Sequence, residues 1–545
     1  MASVIKRSRV RLRKACDNCR RVKSKCEKTE GSPSCISCDE RGVACIITSP
    51  ATSKLPTYPL ALELNTSTSS RVVLYDWIYG NTPSSDLLSD PRLAAHLGDD
   101  ALRNHIGNAL SSLARFDTIR CDVDFLPSIG SAGGFTQLPD ECELLQIVLT
   151  FSESMSVAFP LFREYIIDWL ANRPYLDPRM REDLPAWTSL NIVLAFGYRC
   201  QTLRYPNLGE IKGKCEMYLK NALKAIPSLI FGPASWANVE ALLGMVLLMY
   251  CSVEYPLSHS LLAVAIRKAR TLEGELVHPS NSENVVHERR ERVFWVGYVL
   301  DTMTSSLQGL SPFQCDSNVD LGMPTDHLGS IGLPNGFQVL VGQHLCQLAV
   351  IKARIFQQLY SSGAHYDSRL IEDLSSQLRA WRKSVHPECE SSLDAMEESS
   401  FSRLAITSLL LSYHHTVIIL CRAEYLAHAD APKAQIPPLA ACARSARKAL
   451  RLTRYYPVYA PVGVRGVLNF AFTSFVALTM HILLEPGGAS ARSDLGILHE
   501  AFRFISNLVQ VNSSSGVQGS QLASMLSICR WHMESAERAI LSTEL

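Results

Sequence analysis

The chain has 545 residues and a formal net charge of +1, with 47% hydrophobic residues, enough to bury a large core and more chain than a single small module needs. The near-zero charge hides an asymmetry: residues 1–28 hold eleven Lys or Arg against two acidic residues, a net of +9, so residues 29–545 sum to −8. A basic arm on a mildly acidic body points to polyanion contact by the arm.

In chain order, the first fifteen residues carry Lys6, Arg7, Arg9, Arg11, Arg13 and Lys14 with no apolar run, which excludes a secretory signal there. The run Lys6–Lys14 reads as a nuclear import signal or as an arm lying on phosphates, and the two are compatible.

Six cysteines follow, Cys16, Cys19, Cys26, Cys35, Cys38 and Cys45, spaced C-x2-C-x6-C-x8-C-x2-C-x6-C. One C-x2-C-x6-C unit is written twice. Each unit offers three thiolates, whereas a tetrahedral zinc takes four ligands. Two zincs are served by six cysteines only where two of them bridge both metals. The repeat therefore predicts a two-zinc cluster rather than two separate fingers. A disulfide framework would need an oxidising compartment. The other eleven cysteines are scattered without regular spacing, as free thiols are in a reducing cell.

The two units differ in charge. Cys16 to Cys26 holds Arg20, Arg21, Lys23 and Lys25 against Asp17, a net of +3 apart from the thiolates; Cys35 to Cys45 holds Arg41 against Asp39 and Glu40, a net of −1. Metal binding alone does not require that difference, but a polyanion bound on one face does. Some of the positive charge also offsets a cluster left negative by six thiolates.

The stretch from Ala15 to Cys26 (ACDNCRRVKSKC), Pro33 before Cys35, and the closing Arg41-Gly42-Val43-Ala44-Cys45 together resemble the fungal binuclear zinc-cluster transcription factors. The resemblance implies that Cys16 and Cys35 bridge the metals. It also implies a short helix in the first unit whose C-terminal end enters the major groove. Lys23 is then the residue that contacts the bases of a CGG triplet, with Arg20 and Lys25 beside the phosphates. Arg21, Arg13 and Lys14 complete the expected DNA-binding set. Val22 departs from the pattern, standing where relatives more often have Arg or Lys, and the loop between the units is longer than usual. The chemistry is consistent: Asp17 can cap a helix starting near Cys19, and a lysine can donate to guanine N7 and O6, which the major groove displays.

Residues 46–70 read as a linker, rich in Ser and Thr and punctuated by Pro50, Pro56 and Pro59. No heptad is sustained there, which argues against a dimer made through this segment. Beyond it, periodicity is helical: Val293, Val296, Leu300, Met303 and Leu307; Leu345, Leu348, Ile351, Ile355 and Leu359; and Leu370, Leu374, Leu378 and Trp381 recur at spacings of three and four. The expected organisation is a basic arm at 1–15, a binuclear cluster at 16–45, a linker at 46–70 and a large all-α regulatory domain at 71–545.

Three stretches of the body resemble the regulatory region that often follows this cluster in fungal factors. They are Phe159-Pro160-Leu161-Phe162; Arg289-Arg290-Glu291-Arg292-Val293-Phe294-Trp295, continuing to Tyr298, Asp301, Gly309, Pro312, Asp320 and Pro324; and Tyr413-His414-His415, running to Leu420-Cys421-Arg422. Ala423, where relatives usually have Pro, and Leu272-Glu273-Gly274 depart from it.

Enzyme motifs are absent: there is no HExxH, Walker loop, GxGxxG or GxSxG. Adjacent histidines such as His414 and His415 point about 100° apart on a helix, so they read as packed side chains rather than a metal pair. The apolar stretch Val467–Leu484 contains Asn469, Thr473, Ser474, Thr479 and His481, so it reads as a buried helix rather than a membrane span. The resulting expectation is a nuclear, sequence-specific regulator of RNA polymerase II transcription. It would bind double-stranded DNA through two zincs, control a specific metabolic or secondary-metabolite pathway, and meet the transcription machinery or co-regulators, with a homodimer through the helical body left open. The alternative is a zinc-stabilised protein-interaction module without sequence-specific DNA binding.

Overall fold

In the computed structural model the described residues are 9–11, 16, 19, 22–23, 25–29, 34–41, 45, 137–162, 167, 182–203, 205, 209–251, 259–275, 283–307, 311–314, 330–360, 367–427, 440–459, 463–512 and 517–543. The linker at 46–70, the start of the body at 71–136, and Arg13, Lys14, Asp17, Arg20, Arg21, Gly309, Asp320 and Pro324 lie outside them. Two units are distinguished, Met1–Ser67 and Thr68–Leu545.

In the first unit, strands β1 (Arg9–Arg11) and β2 (Glu27–Thr29) pair antiparallel, Val10 opposite Lys28. A short helix α1 (Ile36–Asp39) begins at Cys35, whose carbonyl accepts from the amides of Cys38 and Asp39 at 3.1 and 3.0 Å.

In the second unit, apolar residues recur with helical spacing and the helices bury them against one another. The helices are α2 (Glu141–Ser152), α3 (Met155–Ala158), α4 (Leu184–Gln201), α5 (Gly209–Lys224), α6 (Ile226–Phe231), α7 (Trp236–Tyr250), α8 (His259–Glu275) and α9 (Glu283–Leu307). After a small hairpin come α10 (Val341–Leu359), α11 (Ser368–Ser384), α12 (Glu388–Ser391), α13 (Phe401–Ala427), α14 (Ala440–Leu452), α15 (Val464–Leu484), α16 (Ala491–Asn512) and α17 (Val517–Ser542). Side chains that prefer local backbone partners mark several starts. Asp140 accepts from the Glu143 amide at 2.9 Å, Asp183 from Ala186 at 3.3 Å, and Ser235 from Asn238 at 3.1 Å. Each such cap is worth about 1 kcal/mol.

The three periodic stretches read from the sequence fall on α9, α10 and α11, and all their members are buried in or packed against one hydrophobic core. Helix α4 lies against α2 and α5, α13 against α14 and α11, and α15 against α14, α16 and α17. The approach of α4 to α2 depends on Gly197, where an added Cβ would lie 2.4 Å from Ile147 Cγ2. The departure from an all-α body is the hairpin β3 (Ile331–Gly332) and β4 (Gln338–Val339). Its turn, Pro334-Asn335-Gly336, puts Gly336 at φ 87°, a left-handed conformation that favours glycine. Strands this short leave almost no alternation to read.

The apolar stretch at 467–484 lies within α15, whose most apolar 18 residues are 83% buried; in α13, which also has enough length and hydropathy to cross a membrane, the corresponding 18 residues within Phe401–Glu424 are 78% buried. The polar groups of α15 find partners inside the protein: Ser474 and Thr479 donate to the carbonyls of Phe470 and Phe475, and Asn469 lies 3.4 Å from His415 Nε2. These are core helices.

The Arg-Arg-Glu-Arg stretch has a structural purpose. Glu240 on α7 is buried and receives Arg289 through Nε at 2.9 Å and an Nη at 2.6 Å, and Arg292 at 3.1 Å. Arg292 also reaches Glu288 at 3.3 Å. Asp301, further along α9, accepts from the Gln314 amide at 2.8 Å and from Ser305 Oγ at 3.3 Å, tying down the segment after the helix. Burial pushes its carboxyl up to about 6.

Candidate metal centre and nucleic-acid interface

The cysteine repeat is also a structural repeat. The Cys16 amide donates to Cys26 Sγ at 3.4 Å, and the Cys35 amide donates to Cys45 Sγ at 3.3 Å, each across ten residues. The Cys19 amide donates to Cys16 Sγ at 3.4 Å. These bonds wrap each unit around its own sulfurs.

The sulfurs form two four-thiol sets, Cys16-Cys19-Cys26-Cys35 and Cys16-Cys35-Cys38-Cys45, each with all its ligand atoms within 4.8 Å of one another. The sets share Cys16 and Cys35, the two residues that the resemblance makes bridging. Zinc–sulfur bonds of ~2.3 Å in a tetrahedron put neighbouring sulfurs ~3.8 Å apart. The sulfur separations are 3.8 Å for Cys16–Cys35, 3.5 Å for Cys16–Cys38 and 3.6 Å for Cys19–Cys35. The donor set therefore fits zinc in both spacing and chemistry.

Five of the six cysteines are buried, and burial pushes the thiols of Cys26 and Cys35 up and that of Cys38 up to about 11, while hydrogen bonds to the sulfurs of Cys16 and Cys45 hold those two thiols below the usual value. A bound divalent cation reverses the effect of burial and holds the sulfurs as thiolates. These two sets are the groups suited to a metal among the described residues. His414 and His415 are not such a group: both are buried on α13, and the rings pack against Tyr413 and Phe470 respectively.

The basic side chains of the first unit face outward where they are described. Lys23 and Lys25 are exposed. Cys19 is helical and Val22–Lys23 form a turn in which Lys23 adopts φ 49°, the one non-glycine residue with positive φ among those described. A lysine there carries a backbone cost of roughly 1–2 kcal/mol that glycine would avoid. In the second cysteine repeat Arg41 folds back on α1, donating to the Ser37 carbonyl at 2.8 Å and also to the Ser37 hydroxyl. The charge difference between the units thus becomes one of availability. Sequence reasoning missed the β1–β2 pairing, which binds part of the basic arm to the backbone just after Cys26.

Residues 14–54 match the fungal Zn(2)-Cys(6) binuclear cluster domain, and residues 190–383, from α4 into α11, match the fungal specific transcription factor domain. Both matched domains are those of fungal Zn(2)-Cys(6) transcription factors. That is a family of transcription factors and not of enzymes. The chain is similar to an ABC-transporter-regulating transcription factor of Aspergillus oryzae, 28% identical over 72% of this chain and 46% of the relative. Its counterpart in Aspergillus fumigatus is 26% identical over the same shares. The Fusaridione A cluster transcription factor of Fusarium heterosporum is 24% identical over 68% of this chain and 73% of the relative. The chain spans about half the length of the first two of these relatives. The match to the Zn(2)-Cys(6) cluster domain implies zinc binding.

Proposed function

We propose that this chain is a nuclear, sequence-specific regulator that reads a CGG-like triplet in the major groove through a cluster of two zinc ions. The observation that carries the reading is the pair of four-thiol sets sharing Cys16 and Cys35, with Lys23 exposed on the turn beside them. Cys16 and Cys35 bridge the zincs; Cys19 and Cys26 complete one site and Cys38 and Cys45 the other. Lys23 is the base reader. Lys25 and Arg20 hold phosphates, Arg21 is the alternative reader, and Arg13 and Lys14 extend the phosphate contacts. The organisation proposed is a basic arm, a cluster at 16–45, a linker at 46–70 and a helical regulatory body, with any homodimer formed through that body. The names of the relatives support a role in one transporter or secondary-metabolite pathway.

Selection of duplexes from a random DNA pool by the zinc-loaded chain tests this directly. Enrichment of a CGG-like triplet is expected, and the spacing of enriched triplets reports dimerisation. Retention of DNA without enrichment of any sequence would leave a zinc-stabilised interaction module and overturn the reading.

A further inference from the structure

The helical body contains a cavity bordered by α3, α7, α9, α10, α13 and α15. It encloses ≈ 60 Å³, and the whole pocket with its mouth comprises ≈ 630 Å³. Phe159, Met303, Leu345, Leu409 and Phe470 are among the apolar residues that line it. Ser412 of α13 is one of its few polar wall residues.

Behind that wall stands Lys352 of α10, 2% exposed. Its Nζ donates to Ser412 Oγ at 3.2 Å and lies 5.2 Å from the centre of the Phe470 ring. Both contacts are cavity-lining residues. Among the described residues no carboxylate pairs with this lysine. A lysine buried without a counter-ion is costly, and proteins rarely retain one without a partner. The neighbouring polar groups add donors and no anion. His415 is fully buried, with its Nε2 3.4 Å from the Asn469 side-chain nitrogen and its Nδ1 without a partner. Ser412 Oγ accepts the hydrogen bond from Lys352, so the hydroxyl proton of this cavity-lining residue remains available for a second bond.

We infer that this cavity is the binding site of a small apolar monocarboxylate, its hydrocarbon part among Phe159, Met303, Leu345 and Leu409 and its carboxylate held by the Ser412 hydroxyl with Lys352 as counter-ion. An apolar chamber with a hydroxyl donor in its wall and a buried lysine behind that wall matches that amphiphile at both ends. A neutral hydrocarbon leaves Lys352 uncompensated, and a dianion places a second charge among apolar walls. Burial pushes the Lys352 ammonium down to about 7, so a carboxylate beside it would restore the charged form and draw a proton from solvent. Ligand binding here, within the body that follows the cluster, would stabilise one packing of α10, α13 and α15.

The test is calorimetry and thermal unfolding of the full chain with straight-chain carboxylates from butanoate to decanoate, each beside its primary amide. Saturable binding of one or more carboxylates is expected, weaker by roughly tenfold to a hundredfold for the amide. Lys352→Met should melt higher than the parent without ligand and lose the preference for carboxylate. Absence of binding across the series, or equal binding of acid and amide, overturns the assignment. Should Lys352→Met fail to fold, Ser412→Ala decides. Carboxylate binding weakened about tenfold supports the site, and unchanged binding overturns it.

Discussion

Cys16 and Cys35 stand with their sulfurs 3.8 Å apart and belong to both four-thiol sets of the cluster. Every other cysteine of the six belongs to one set. That asymmetry assigns different consequences to chemically identical substitutions. Cys16→Ser or Cys35→Ser should lose both zincs, whereas Cys45→Ser should lose mainly one. Elemental analysis of the purified chain checks this, with two zincs per parent chain expected. Because so small a unit has almost no core apart from its thiols, chelation should unfold it. A parent chain holding one zinc sinks the shared-ligand arrangement.

Lys23 combines exposure with a left-handed backbone, and the two properties can be separated by mutation. Lys23→Ala and Lys23→Gly should both cost roughly 1–3 kcal/mol of affinity on the preferred site while leaving random DNA nearly unaffected. Lys23→Gly should in addition relieve about 1 kcal/mol of backbone strain in the zinc-loaded unit. Neutralising Arg13 and Lys14 should instead weaken all sequences alike and flatten the salt dependence by about one unit of slope per phosphate contact. Titrations on specific and scrambled duplexes at several salt concentrations distinguish the cases. A parallel loss on both duplexes for Lys23→Ala would make Lys23 a phosphate contact.

Glu240 is almost closed to water and holds the buried Arg292 and the part-exposed Arg289, so its removal leaves one buried cation short of an acceptor. Glu240→Ala should destabilise the helical body by about 3–5 kcal/mol. Urea denaturation followed by circular dichroism measures it. A loss below 1 kcal/mol would show that the arginines find water or other acceptors at little cost.

Lys352 also predicts a pH dependence. Burial lowers its folded-state value to about 7, against an ordinary value of 10.5. Between those limits the unfolded chain binds a proton that the folded chain lacks, so this group makes stability rise with pH, by up to about 1.4 kcal/mol per unit. Below pH 7 both states are protonated and its slope vanishes. His415, the titratable group facing it, is held well below 6.5 by burial and by Lys352, so its own rise falls below the lysine's window. Other buried groups titrate at alkaline pH, so the observable is the difference between parent and Lys352→Met. That difference should grow towards neutral pH and shrink by pH 10. A difference independent of pH would place a charged, compensated ammonium at Lys352.

The cysteine spacing already implied a cluster of thiols in which two ligands are shared, and the two four-thiol sets share Cys16 and Cys35. Metal geometry is local: ligands ten residues apart are closed by short loops, and the donor count decides which metals can be shared. The helical periods of α9, α10 and α11 were equally legible, because each apolar face is written within one segment. The tertiary structure alone decided which segments meet. Glu240 finds Arg289 and Arg292 across 49 and 52 residues, and Lys352 finds Ser412 across 60. The pairing of Arg9–Arg11 with Glu27–Thr29 and the left-handed turn at Lys23 also came only from the folded chain. Periodicity reports that a helix has an apolar face and says nothing of the helix that covers it. The charge state and partner of a buried side chain depend on that second helix, so they are settled only when the core closes.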